Sequence, residues 1–239
     1  MRYIFLDETY PCQGTTKIQE ATKNIVMAGW TVEQHRFNLN AHRLPELFRT
    51  PVLDQIASLF QTLDARALIG KATLDSILFR PGEIDATDDI AAMARTDNVW
   101  SHCMIFLIST LILELVGGGH EISLIDIYYD PKNLKLDHTE ALRATLQTLV
   151  VREARRFASE RNSEVLTKLR IRGFQPVTKP RHGHVPTKFQ MGTWVADKLC
   201  SQSDASGENK NSRQIRRLDM SESIRRTVQQ YDGKSFNDD

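Results

Sequence analysis

Net charge is nearly absent from this sequence: 31 Lys and Arg against 30 Asp and Glu leave a formal balance of +1. That excludes a uniformly basic coat for nucleic acid, although a balanced total leaves room for local concentrations of one sign. Cysteine is scarce too, with Cys12, Cys103 and Cys200 far apart and no C-x-x-C pair. An odd, scattered set builds neither a disulfide framework nor a zinc knuckle, which points to a reducing compartment and a cytoplasmic location. The most apolar stretch, Met104 to Val116, is broken by Ser109, Thr110 and Glu114. It suits a buried helix and falls short of the roughly 20 residues a membrane span needs, so no membrane association is expected. Met1 to Leu6 runs straight into Asp7-Glu8, and no export leader is expected there. There is no G-x-S-x-G, Walker loop or G-x-G-x-x-G, and the triplet Gly117-Gly118-Gly119 follows a helical pattern, not a strand. Serine hydrolase, P-loop nucleotide and dinucleotide-binding classes therefore fall away.

What is present is enough for a sizeable core: 239 residues, 41% of them hydrophobic. The pattern divides into a domain over 1–200, with a helical and loop insertion near 40–118, and a polar, largely disordered tail over 201–239. Within that tail only Ser221 to Tyr231 looks capable of a short helix. Tyr3 to Leu6 and Asn24 to Val32 are rich in β-branched and aromatic residues and read as neighbouring strands. Thr50-Pro51 opens a helix with Val52, Ile56, Leu59, Phe60 and Leu63 on one face, and a short strand is expected at Ala67 to Ile69. Arg80 to Asp89 reads as a loop.

A helix over about Val99 to Val116, apolar nearly all round, should be sandwiched and closed by the glycine triplet in left-handed conformation. Glu121 to Asp130 reads as a strand buried on both sides that ends in a carboxylate. Asp137 with Glu140, and Thr187 with Gln190, have capping-box spacing for two later helices, the second running through Cys200, and Val165 to Ile171 resembles a strand between them. This order predicts an α/β fold: a mixed sheet with helices on both faces.

The chemistry lies in acids. Asp7 and Glu8 follow an apolar strand, Asp130 ends another, and Asp197 sits in the late helix. Carboxylates delivered from rigid strand ends suit Mg²⁺ or Mn²⁺, which take oxygen ligands in tight geometry. Each of these acids also has an ordinary reading, as a turn residue or a solvated helix residue. Adjacent strand residues face opposite ways, so Asp7 and Glu8 enter one site only if the strand has already ended. Asp126 shares a face with Asp130 but lies about 13 Å away along an ideal strand, too far to share its metal.

The opening Tyr3-Ile4-Phe5-Leu6-Asp7-Glu8-Thr9 and the late-helix pair Ala196-Asp197 resemble the motifs of the family catalogued as domain of unknown function 3800. That family is similar in fold to the ribonuclease H-like superfamily. The resemblance spans about residues 1–200. It implies that Asp7 is the central metal ligand, with Asp130 and Asp197 as further ligands and Glu8 as an additional catalytic acid. It departs from the family pattern at Thr9-Tyr10, where Ser-Gly is usual, and at Trp194, which stands where the family's Gln-x-Ala-Asp motif has Gln; Gln190 lies almost two turns before Asp197 on much the same side. The implied activity is a metal-dependent nuclease or related phosphoryl-transfer enzyme.

Between Val151 and Gln190 stand ten Lys and Arg against three Glu. Such a segment could track a phosphate backbone or be a solvated face with ion pairs. Arg170 and Arg172, which share a face if their strand is regular, and Lys71 are the candidate substrate contacts, with nucleic acid as the expected partner. His182-Gly183-His184 lacks a third ligand at metal spacing and reads as a loop. The alternatives to an enzyme are a nucleic-acid- or protein-binding module that retains the fold, or a subunit using the apolar helix or the tail to contact a partner or a second copy.

Overall fold

The computed structural model describes residues 1–9, 24–47, 53–73, 89–130, 136–177, 184–201 and 214–224. Six strands, β1 (Arg2–Thr9), β2 (Asn24–Glu33), β3 (Arg66–Thr73), β4 (Leu124–Tyr129), β5 (Arg170–Pro176) and β6 (Ile215–Asp219), form one mixed sheet in the order β5-β4-β1-β2-β3-β6. β1, β2 and β3 are successive antiparallel neighbours, while β4 joins β1, β5 joins β4 and β6 joins β3 in parallel. The helices are α1 (Gln34–Asn40), α2 (Leu44–Leu47), α3 (Leu53–Leu63), α4 (Asp89–Gly117), α5 (Leu136–Phe157), α6 (Glu160–Lys168) and α7 (Lys188–Ser201).

Strand alternation sorts the core into two layers. Ile4 and Leu6 of β1, with Ile25 and Met27 of β2, pack under α4, whose Leu107, Ile108, Leu111 and Leu115 are buried. Tyr3 and Phe5, with Val26, Ala28 and Trp30, face the other way, toward Phe37, Phe60 and the α7 residues Val195, Ala196 and Leu199. The expected α/β sheet with helices on both faces is thus what forms. α4 is sandwiched as its all-round apolarity requires: the Ser109 hydroxyl donates to Ile105 O at 2.7 Å and reaches Val150 O of α5 at 3.2 Å. Gly119, at φ +79°, closes α4: the amides of Gly119 and His120 donate to Val116 O and Leu115 O, each at 3.0 Å, the paired bonds of a left-handed helix cap.

Within the stretch 40–118, β3 pairs with β2 along its length and α4 supplies the central helix of one core layer. Two expectations change. The polar composition after Ser201 hides β6 and the buried Met220 and Ile224 that follow it; Leu218 and Met220 are apolar at strand spacing inside a charged stretch. Val165 to Lys168 is helical, since Ser159 accepts from Asn162 N at 3.4 Å and starts α6; the strand begins at Arg170. Thr50-Pro51, residues 80–88 and His182-Gly183 lie outside the described residues, as do the side chains of Asp137 and Glu140.

α7 lies close on the sheet because Gly192 has no side chain. The Trp30 indole donates to Gly192 O at 2.8 Å, and a Cβ at Gly192 would overlap the Phe5 ring. Gly192→Ala must push α7 off β1, and is expected to cost about 1–3 kcal/mol as an overpacked contact; chemical denaturation reads the loss, and an unchanged midpoint would show that α7 seats without this close approach.

Candidate metal centre

β1 and β4 run parallel with Leu6 opposite Tyr129, so continuing the register by one residue sets Asp7 opposite Asp130. Parallel neighbours lie about 4.8 Å apart. Both acids are buried, at 2% and 7% exposure, which is rare for carboxylates without a task or a partner. Parity puts them on the face of Phe5 and Tyr128, the face that α7 covers.

Cys200, which no motif or spacing singles out, ties this corner together. Its thiol donates to Asp7 O at 3.2 Å and lies 3.9 Å from Val26 O, pinning the end of α7 to β1 and β2. Burial, then the charges of Asp7 and Glu8, and more weakly Asp197, push that thiol well above its ordinary range. One buried sulfur therefore feels the acids of β1 and of α7 together. A protonated thiol is a poor metal ligand, so the candidate donors at this corner are the carboxylate oxygens. Asp197 is half-buried one residue beyond Ala196, which packs on the sheet; its carboxylate lies 3.9 Å from Lys198 Nζ. Among the described residues, no three His, Cys, Asp or Glu side chains are grouped closely enough to hold a metal ion. The arrangement is a pair of strand-end acids with Asp197 on the covering helix.

Glu8 is turned away from this pair. β1 continues to Thr9, with Asp7 opposite Ala28 and Glu8 opposite Met27, so alternation sends Glu8 toward the α4 face. The condition for joining Asp7, an early end to the strand, is not met. Asp7 Oδ1 instead accepts the Glu8 backbone N–H at 2.8 Å. Lys71 fares better. It pairs with Val26, and Val26 with Thr9, which gives Lys71 the same facing as Ile69 and Asp7 two strands away and near the same end of the sheet. It is exposed.

Arg170 and Arg172 do not share a regular face. Ile125 pairs with Ile171 and the next residue, Asp126, with Gly173, so Arg172 is the extra residue of a bulge. Its Nε donates to Asp126 Oδ1 at 2.9 Å and its Nη2 to Oδ2, a two-armed pair with a carboxylate that is 1% exposed. Arg170 Nη1 donates to Thr167 O at 3.2 Å and Leu169 O at 3.0 Å. Burial and the Asp126 charge, with Tyr3 behind them, push the Tyr128 phenol up to about 12. At the start of α7 the Thr187–Gln190 box is formed, with Thr187 N donating to Gln190 Oε1 at 2.8 Å and Gln190 N to Thr187 Oγ1 at 3.3 Å.

No protein-family model matches this chain, and no curated protein matches it.

Because Arg172 answers a buried charge, its removal should be felt as stability. Arg172→Gln is expected to lower the denaturation midpoint, and adding Asp126→Asn should recover part of the loss, since the single change leaves the buried Asp126 carboxylate without its guanidinium while the double change removes that charge as well. Simply additive effects in that double-mutant cycle would mean that the two side chains act independently.

Proposed function

We propose that this chain is a Mg²⁺- or Mn²⁺-dependent nuclease, or a related phosphoryl-transfer enzyme, with a ribonuclease H-like fold. The observation that carries the reading is the parallel register of β1 with β4, whose continuation by one residue sets Asp7 opposite Asp130 at the ends of two central strands, with both acids buried. Mg²⁺ is commonly held by one or two protein carboxylates, with waters and substrate phosphates completing its shell. Asp7 and Asp130 would hold the ion and Asp197 would approach from α7. A divalent cation bound there would supply an activated water and neutralise charge building on a phosphate. The chain's own part is to keep the two acids fixed and dry. β1 is hydrogen-bonded on both sides, and Cys200 holds its backbone at Asp7. A mixed sheet with helices on both faces is the architecture that the resemblance of the opening and late-helix motifs implies.

The substrate reading is nucleic acid, and Lys71 is the residue best sited to meet a phosphate, being exposed on the Asp7 face. Arg172, engaged with Asp126, is less suited to that task.

Two neighbouring acids repel when no cation lies between them, so millimolar Mg²⁺ or Mn²⁺ is expected to raise the melting temperature through binding to the folded state. Asp7→Asn should abolish both that shift and any metal-dependent cleavage of single- or double-stranded nucleic acid while leaving the fold intact. No thermal shift with either metal in the native protein would count against the centre. A shift without turnover on any nucleic acid would favour a binding module that retains the fold. Lys71→Ala should reduce the magnitude of the slope of log affinity against log salt by about 0.7 for a single strand or about 0.9 for duplex DNA; an unchanged slope would remove Lys71 from the substrate path.

A further inference from the structure

At the end of the sheet opposite Asp7, the first residue of β1 poses a separate electrostatic problem. Arg2 is 5% exposed, and among the described residues its Nη1 has no hydrogen-bond partner. A guanidinium carries five N–H donors and is charged at any ordinary pH, so a buried one with an idle nitrogen depends heavily on the acceptors it does have. Here Nη2 lies 3.3 Å from Nδ1 of His120. Because the arginine has donors only, the imidazole nitrogen facing it must be the unprotonated one. His120 has little freedom to move aside: its own amide is bonded to Leu115 O in the cap that ends α4.

We propose that the Arg2–His120 contact is a proton-operated latch that fastens the start of the central strand to the end of α4, and that mild acid releases it. The groups around it come from every neighbouring element. Glu33 ends β2, Arg36 lies on α1, Asp64 stands in the turn before β3, Arg66 opens β3, and Arg2 itself opens β1. Three guanidinium groups thus face two carboxylates before His120 takes up a proton. The carbonyl end of α4 favours cations nearby, but Arg66 already lies there, its guanidinium beside Gly118. Protonating His120 at Nδ1 replaces an acceptor with a donor and sets a fourth cation against Arg2, leaving the buried guanidinium without that bond.

Burial, followed by the charges of Arg2, Arg66 and Arg36, holds His120 below its ordinary value, with Asp64 opposing. The unfolded chain therefore binds a proton just below about pH 6.5 that the folded chain still refuses. Stability is full above that value and falls as pH drops through the window between the unfolded and the folded value. His102 is also held low by burial and would add a loss of the same sign from the far side of α4, so the two must be separated.

The test follows the melting temperature from pH 8 to pH 5 for the native protein, His120→Gln and His102→Gln. Glutamine at position 120 offers an acceptor that does not titrate. The native protein and His102→Gln are expected to lose melting temperature below pH 6.5, whereas His120→Gln should lose distinctly less. Superimposable curves for the native protein and His120→Gln would overturn the latch. If His120→Gln fails to fold, NMR titration of the native protein decides: an imidazole of His120 that titrates at or above its ordinary value contradicts the proposal, and one that titrates below it, with faster amide exchange at the α4 cap once protonated, supports it.

Discussion

The burial of β1 on both faces is the constraint on which the molecule depends. β1 lies between a parallel and an antiparallel neighbour, and each face is roofed by helices, so every residue from Arg2 to Glu8 is shut away from water. For Tyr3 to Leu6 this is the ordinary gain of burying apolar surface. For Arg2, Asp7 and Glu8 it is a liability, since a charged group taken out of water needs compensation close by. The two ends differ. At one end a guanidinium leans on an imidazole and a ring of mixed charges; at the other, the Asp7 carboxylate accepts the Glu8 amide and the Asp7 carbonyl is held by a protonated thiol.

The same constraint explains what could be read in the sequence. β1 and β2 are legible because strands dry on both faces are apolar at nearly every position, and α4 for the same reason in a helix. The glycine cap and the Thr187–Gln190 box are legible because each is a local bond pattern carried by adjacent residues. β6 was hidden because an edge strand needs few apolar residues: Ile215, Leu218 and the following Met220 suffice among arginines. The Arg172 bulge was hidden because parity counting presumes a regular ladder, and the irregularity arises from pairing with β4, far away in sequence.

The acids of the candidate centre were legible as types at strand ends, and the register of β1 with β4 is what turns Asp7 and Asp130 from separate positions into neighbours. Their relation to Asp197 depends on how α7 is seated. That rests on a glycine contact, an indole bond and a thiol bond that no spacing rule anticipates. Lys71 was an isolated cation in the sequence; two antiparallel registers in succession give it a place on the same face as Asp7.

The pairing of β6 with β3 also bears on how the protein is made. Ala67 to Lys71 are synthesised long before their partners Ile215 to Asp219. On the ribosome, one side of β3 therefore waits as a bare edge, with unmatched amides and carbonyls that invite another chain to pair. Gly70 gives that edge no side chain on the side later filled by Met220. That edge stays open to mispairing until β6 arrives, which makes the charged strand of the C-terminal region an intramolecular cover for an edge laid down early in translation.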